Sequence, residues 1–255
     1  ADSAVTITGS TLRGQGGNGV DGGQGQVGVF SDGGTLTIQG GSVIEALGGK
    51  GSTGEGGWAN VDISSFSSPQ TNNINNSTVR ALAGSGTSKG ESFFGIFDGA
   101  GNIHITNGSK IEADGAEGRI NVFASVGNVT ISDSAFTAKG NGSFGESFVD
   151  VEASKISVSN SSFTVNHVTN APDEPGTSEA SVYMYASGSG GLSISGSTIG
   201  ISATGTAPGM AFAELGSGEA SGNVAISNSK ISASGLFGGV LVQSSSGNVA
   251  VTNST

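Results

Sequence analysis

One short pattern of apolar and polar positions returns along the whole chain. An apolar residue, a polar residue and Ile or Val are followed by a small polar corner and then another apolar residue. It reads Val5-Thr6-Ile7-Thr8-Gly9-Ser10-Thr11-Leu12 at the start. It returns at Leu36-Thr37-Ile38, Ile103-His104-Ile105, Val129-Thr130-Ile131, Ile156-Ser157-Val158, Leu192-Ser193-Ile194, Val224-Ala225-Ile226 and Val249-Ala250-Val251, with a degenerate copy at Asn72-Asn73-Ile74. Each copy alternates with period two, the signature of a strand with one inward and one outward face.

Two further strands follow in each repeat. After the corner come segments such as Val43-Ile44-Glu45-Ala46, Val79-Arg80-Ala81, Ile111-Glu112-Ala113 and Phe136-Thr137-Ala138. A segment of variable length comes next. A third strand then closes the unit, as in Val27-Gly28-Val29, Phe94-Gly95-Ile96, Val149-Asp150-Val151 and Val182-Tyr183-Met184. The third strand near Met210-Ala211-Phe212 is the weakest, with a small insertion expected around Glu214 to Gly222. The corners use Gly, Asn, Asp and Ser, which accept left-handed and turn backbones.

A lone coil of three strands cannot bury its inner face, whereas stacked coils bury a continuous core. The pattern therefore predicts an all-β chain, a right-handed parallel β-helix (β-solenoid). It has three short strands per coil, about eight to nine coils, and variable loops between the second and third strands. The right hand is expected from the chirality of parallel crossovers. Residues 1–255 form one such domain, expected to be a segment of a longer rod or a fibre subunit.

Stacking carries a register, and the register predicts ladders. Ile105, Ile131 and Val158 should follow one another along one wall. Phe136 and Phe163 should stack in adjacent coils, and Arg13, Glu45, Arg80 and Glu112 should alternate in sign over four coils. Asn102 with Asn128, and Asn223 with Asn248, are placed to form amide ladders before the first strands.

Composition narrows the function. Of 255 residues 47 are Gly and 4 Pro, without a three-residue period, which excludes collagen. Only 34% are apolar, consistent with a core one layer thick. A net charge of −11 disfavours phosphate backbones and anionic lipid surfaces, so no nucleic-acid partner is expected. There is no Cys, hence no disulfide framework or thiolate metal site. No run approaches the roughly eighteen apolar residues of a membrane span.

Gly16-Gly17-Asn18-Gly19-Val20-Asp21 fits the opening of a calcium-binding nonapeptide, making Asp21 a weak calcium candidate. With a single copy, a flexible glycine loop is the stronger reading, and no cofactor is expected. Thr6-Ile7-Thr8 resembles the threonine rows of ice-binding solenoids, but later copies do not keep the array. His104 and His167 read as isolated solvated residues. Asp62 and Asp150 point outward on third strands, with two coils between them. Glu55, Glu91, Asp114, Glu117, Glu146, Asp173, Glu174 and Glu179 are assigned to the variable loops as a solvated acidic rim. Trp58 either stacks on a sugar or packs on its own loop.

The recurrent Gly-Asn-Val-x-Ile-Ser-x-Ser-x-Ile/Phe-x-Ala pattern is clearest at Gly127–Ala138 and Gly222–Ala233. It resembles the β-helical shaft of filamentous-haemagglutinin-like large exoproteins and related bacterial surface adhesins. The resemblance implies a secreted, extracellular or cell-surface rod that binds surfaces, glycans or neighbouring cells. The Asn-Pro-Asn motifs of that family's secretion domain are absent, which points to a shaft segment. The first expectation is a non-enzymatic structural or adhesive rod that self-associates end to end. The alternatives are a polysaccharide-acting β-helix enzyme or phage tailspike-like glycan binder, and then an ice-binding solenoid.

Overall fold

A computed structural model describes residues 4–66, 70–142, 145–169, 178–205, 209–218 and 222–255. Among them no residue is helical, and hence no helix is long and apolar enough to cross a membrane. The strands pair in parallel, each with its equivalent in the repeats before and after. Three walls result. The first contains Val5–Thr8, Leu36–Gln39, Thr71–Asn75, Asn102–Thr106, Asn128–Ser132, Val224–Ser227 and Val249–Thr252. The second, a separate sheet, runs from Thr11–Gln15 through Val43–Leu47, Thr78–Leu82, Lys110–Gly115, Ala135–Gly140, Ser162–Thr169 and Thr198–Gly205 to Lys230–Ser234. The third contains Gly25–Ser31, Ala59–Ser65, Ser92–Asp98, Gly118–Ala124, Gly209–Ser217 and Phe237–Ser244. Two long strands, Gly145–Ser159 and Ser178–Ser195, supply the third wall with their first halves and the first wall with their second halves. They join those two walls into one sheet.

The inward residues line up as columns. Ile7, Ile38, Ile74, Ile105, Ile131, Val158, Ile194, Ile226 and Val251 are successive register partners. So are Leu12, Ile44, Val79, Ile111, Phe136, Phe163, Ile199 and Ile231 on the second wall. Most of these side chains are fully buried in one continuous core. Phe136 and Phe163 stack with centroids 4.8 Å apart and planes 16° apart, a geometry that adds about 1 kcal/mol beyond burial. The degenerate copy places Asn72 inside, where its Nδ2 donates to the Phe97 carbonyl at 3.2 Å.

One corner chemistry repeats in every coil. The chain leaves the first wall through a left-handed residue: Gly9, Asn76, Asp133, Asn160, Gly196, Asn228 or Asn253, with φ from 45° to 57°. Gly, Asn and Asp are the residues that take this conformation at least cost. Gly40-Gly41 and Asn107-Gly108 use two such residues and absorb one extra position. A serine always follows. Its Oγ donates to the carbonyl two residues back, as in Ser134, Ser161, Ser197 and Ser229 at 2.7–2.8 Å. The same Oγ accepts the backbone N–H of the serine one coil earlier at 3.1–3.2 Å, from Ser134 through to Ser254.

The glycine-rich segments of the first three coils differ from the flexible loops expected from the sequence. They pack on one another by backbone hydrogen bonds: Gly23 to Gly17, Gly49 to Gly23, Gly57 to Gly49 and Gly84 to Gly57, each N–H to O at 2.7–2.9 Å. A Cβ on Gly49, Gly57 or Gly84 would lie 2.0 Å or less from a carbonyl oxygen of a neighbouring coil. Side-chain-free backbones approach until their amides pair, which forms a bundle. The weak third strand also differs. It spans Gly209–Ser217 and places Ala213 and Leu215 against Val182 and Met184, so Glu214 lies within the strand. The small Ala213 carried too faint an apolar signal. His167 is not solvated either: it points inward from the strand Ser162–Thr169, fully buried, with Nδ1 3.0 Å from Ser147 Oγ.

Phe136→Ala should cost about 3–5 kcal/mol in chemical denaturation, the usual price of emptying a buried aromatic site. Asn160→Ala should cost about 1 kcal/mol, because an alanine meets the left-handed penalty, whereas Asn160→Gly should be close to neutral by the same measurement.

Candidate functional site

The three outer faces carry different chemistry. On the first wall the two outward columns run Thr6, Thr37, Asn73, His104, Thr130, Ser157, Ser193, Ala225, Ala250 and Thr8, Gln39, Asn75, Thr106, Ser132, Ser159, Ser195, Ser227, Thr252. Neither column contains an Asp, Glu, Lys or Arg. On the second wall charges pair across coils. Glu45, almost wholly buried, lies between Arg13 at 2.6 Å and Arg80 at 2.7 Å. Burial alone would raise its carboxyl, and the hydrogen bonds and charge of Arg80 and Arg13 outweigh that and hold it below the usual value. Glu112 is the register partner of Arg80 but forms its ion pair with Lys139 at 3.3 Å. Arg80 already gives two N–H groups to Glu45.

The third wall is aromatic and acidic. Its outward positions include Phe30, Phe93, Phe97, Phe123, Phe148, Tyr183, Tyr185 and Phe212, with Trp58 and Phe237 at its leading edge. The chain has twelve Phe, two Tyr and one Trp, and among the described residues three of the Phe are fully buried inside. Most of the remaining aromatic side chains therefore share this one face. Phe93, Phe148 and Phe212 occupy the same outward column in every second coil, separated in register by Arg119 and Ser181. At the parallel strand spacing that is about 10 Å per step.

Carboxylates stand between the rings. Glu146 and Glu179 are register partners, and Glu117 and Glu91 continue the same column downward. Asp62, Asp150, Glu152 and Glu214 lie further along the strands. Arg119 faces this surface, ion-paired with Glu117 and 6.0 Å from the Phe148 ring. Like charges on adjacent strands are unfavourable, and the carboxyls respond. Burial, first, and then Glu91 and Glu146 raise Glu117 against the lowering effect of Arg119. Burial and Glu146 raise Glu179. Asp150 is pushed up to about 6 by burial and then by Glu152. Tyr183 is raised by burial and by the nearby Glu214, Glu152 and Asp150.

Two depressions lie on this wall. One of 310 Å³ is lined by Gln24, Gln26, Trp58, Asn60, Glu91, Phe93 and Arg119; one of 130 Å³ is lined by Phe97, Asn121, Phe123, Asp150 and Glu152. The oxygens Asn60 Oδ1, Asn121 Oδ1 and Asp150 Oδ1 are buried with no hydrogen-bond donor.

Comparison with protein-family models, with curated proteins and with solved structures found no match to this chain.

The other candidate residues fall as follows. Asp21 Oδ1 accepts the Glu55 backbone N–H at 3.2 Å, which ties the first glycine segment to the second. Among the described residues no three His, Cys, Asp or Glu side chains are grouped to hold a metal. Asp62 and Asp150 are three strand spacings apart, about 14 Å, too far for a paired-carboxylate site. Glu146 and Glu179 lie at the start of third strands rather than in loops, and Glu91 and Glu117, the last loop residues before theirs, extend the same column. Asp114 is ion-paired with Lys89, and Asp173 and Glu174 lie outside the described residues. Trp58 is half exposed beside the larger depression. The Asn pairs are linked through the backbone: Asn102 Oδ1 accepts the Asn128 N–H at 2.9 Å, and Asn223 Oδ1 the Asn248 N–H at 2.8 Å. Glu152 and the aromatic column were missed. Counting residue types at the outward positions of each third strand would have found both.

The raised Asp150 makes folding weaker as pH increases. The folded protein holds that proton to about pH 6, the unfolded chain only to about 4. Its contribution is thus most favourable below pH 4 and is lost as pH rises through 6. Asp150→Asn should raise stability at pH 8 by up to about 3 kcal/mol and change it little at pH 3.5, measured by urea titration at both values.

Proposed function

We propose that the chain is a right-handed parallel β-helix acting, without catalysis, as an extracellular binding rod that holds an extended polysaccharide along its third wall. The observation that carries this reading is the segregation of outward aromatics onto one of three faces. Outward rings on a rigid sheet, Phe212 exposed and Phe93 and Phe148 half-buried, offer flat apolar platforms to the C–H faces of sugars, and the flanking Asn, Gln and carboxylate groups offer hydrogen bonds to hydroxyls. Rings that recur every second coil suit a ligand with a regular repeat. A pyranose in an extended glycan is close in length to one coil, so two coils match a disaccharide. A peptide strand advances about 3.3 Å per residue and falls out of step with the coils. The net charge of −11 excludes nucleic acid as the occupant. The resemblance to adhesin shafts agrees with this role.

A second reading rests on one pair. Asp150 and Glu152 face outward two residues apart on one strand, about 7 Å, within the range used by glycosidases. They share the smaller depression, and Asp150 holds its proton to about pH 6. That arrangement offers a general acid beside a second carboxylate.

One experiment addresses both. Affinity electrophoresis and reducing-end release are run on a panel of neutral, amine-bearing and acidic polysaccharides. The expected result is retention without turnover, and a loss of about 100-fold in affinity for Phe93→Ala/Phe148→Ala/Phe212→Ala with unchanged far-ultraviolet dichroism. Failure of every polysaccharide to bind overturns the proposal. Turnover abolished by Asp150→Asn installs the second reading in its place.

A further inference from the structure

Resting on the polysaccharide reading above, we infer that the third wall selects an amine-bearing glycan, a polymer of unsubstituted amino sugars, over neutral or acidic ones. Three independent features of the same face lead there. The first is charge. Eight carboxylates face outward along this wall, Asp62, Glu91, Glu117, Glu146, Asp150, Glu152, Glu179 and Glu214, against the single cation Arg119. The first wall presents none within its strands. Four of the eight stand in one column on four consecutive coils, at about one charge per 4.8 Å. A surface that only had to remain soluble would spread its charges or pair them, as the second wall does with Arg13, Glu45 and Arg80.

The second feature is hydrogen-bonding sense. The buried atoms of this face that lack partners are mostly acceptors: Asn60 Oδ1, Asn121 Oδ1 and Asp150 Oδ1, against one donor, Arg119 Nε. An ammonium group is a donor only, with three N–H bonds, and satisfies such atoms without bringing a competing acceptor. A hydroxyl brings both, and a uronic acid brings charge of the wrong sign. The third feature is the pairing of rings with carboxylates. Aromatic faces attract cations by about 0.5–2 kcal/mol while also stacking on sugar rings. Phe93 and Phe148 stand two residues after Glu91 and Glu146 of the column, and Phe212 stands two residues before Glu214.

The glutamate column repeats once per coil, and the amines on one side of an extended polyglucosamine recur once per disaccharide, so such an amine meets every second carboxylate of the column, in the same two-coil step as the rings. Each contact is weak by itself at an exposed site, and their number along a polymer supplies the affinity.

The test uses the whole chain and length-matched soluble oligomers: fully deacetylated glucosamine, fully N-acetylated glucosamine and a neutral glucan. Oligolysine of equal charge is the peptide control. Binding is measured by titration calorimetry, in buffer that keeps the amines protonated and the glutamates ionised. The glucosamine oligomer should bind at least tenfold tighter than its N-acetylated form, and the difference should shrink with added salt. Glu146→Gln/Glu179→Gln should lower the affinity for the glucosamine oligomer more than that for its N-acetylated form, so that the ratio of the two falls toward one. Equal affinity for the acetylated and deacetylated oligomers overturns the amine inference and leaves the polysaccharide reading standing. Absence of binding to all three glycans overturns both. Oligolysine binding as tightly as glucosamine overturns the glycan as the occupant.

Discussion

The interaction on which everything else depends is the parallel main-chain hydrogen bonding between each coil and the next. The strand amides find their partners in neighbouring coils rather than within their own. Each strand takes partners from the equivalent strand one repeat away, as Ile105 does between Ile74 and Ile131. Unpaired buried amides would cost about 1–3 kcal/mol each, so the register of one coil dictates the register of the next. The apolar columns, the serine corners and the outer grid of side chains all inherit that register. The side chains therefore decide what a wall presents, and the backbone decides the spacing at which it is presented.

Much of this was legible in the sequence because period-two alternation and a repeated corner are local signals. The inward residues of the first and second walls read directly from Val-x-Ile and Ile-x-Ala phrases. The corner residues did so from Gly, Asn or Asp before Ser. Legibility failed where the signal was not local. The glycine segments looked like free loops because glycine alone does not announce a partner, and here the partner is another glycine one coil away. His167 looked solvated because its burial depends on Ser147, twenty positions earlier in the chain. Ala213 hid a strand because a small side chain in a column of larger ones reads as neutral. The aromatic face went unrecognised for a related reason. Each ring sits in its own repeat among polar residues, and only stacking the repeats shows that the rings share a surface.

That face also breaks the rules the rest of the molecule obeys. The second wall offsets charge with charge, and the first wall has no Asp or Glu within its strands and one cation, Lys155. The third accumulates carboxylates beside one another and raises Asp150, Glu117 and Glu179 as a result. It also leaves Phe30, Phe123 and Phe212 more than a third exposed. Local conflict of this kind, within a scaffold otherwise consistent from corner to core, marks a surface shaped by something other than folding.

The glycine bundle of the first three coils has a consequence for how the chain tolerates change. Elsewhere a substitution trims or adds atoms and neighbours adjust by a rotamer. In the bundle there are no rotamers to adjust, since a methyl group on Gly49, Gly57 or Gly84 would overlap a carbonyl oxygen. Variation along this molecule is therefore lopsided. The outer columns admit other side chains at most of their positions, while one edge of the first three coils accepts almost no alphabet beyond a single letter.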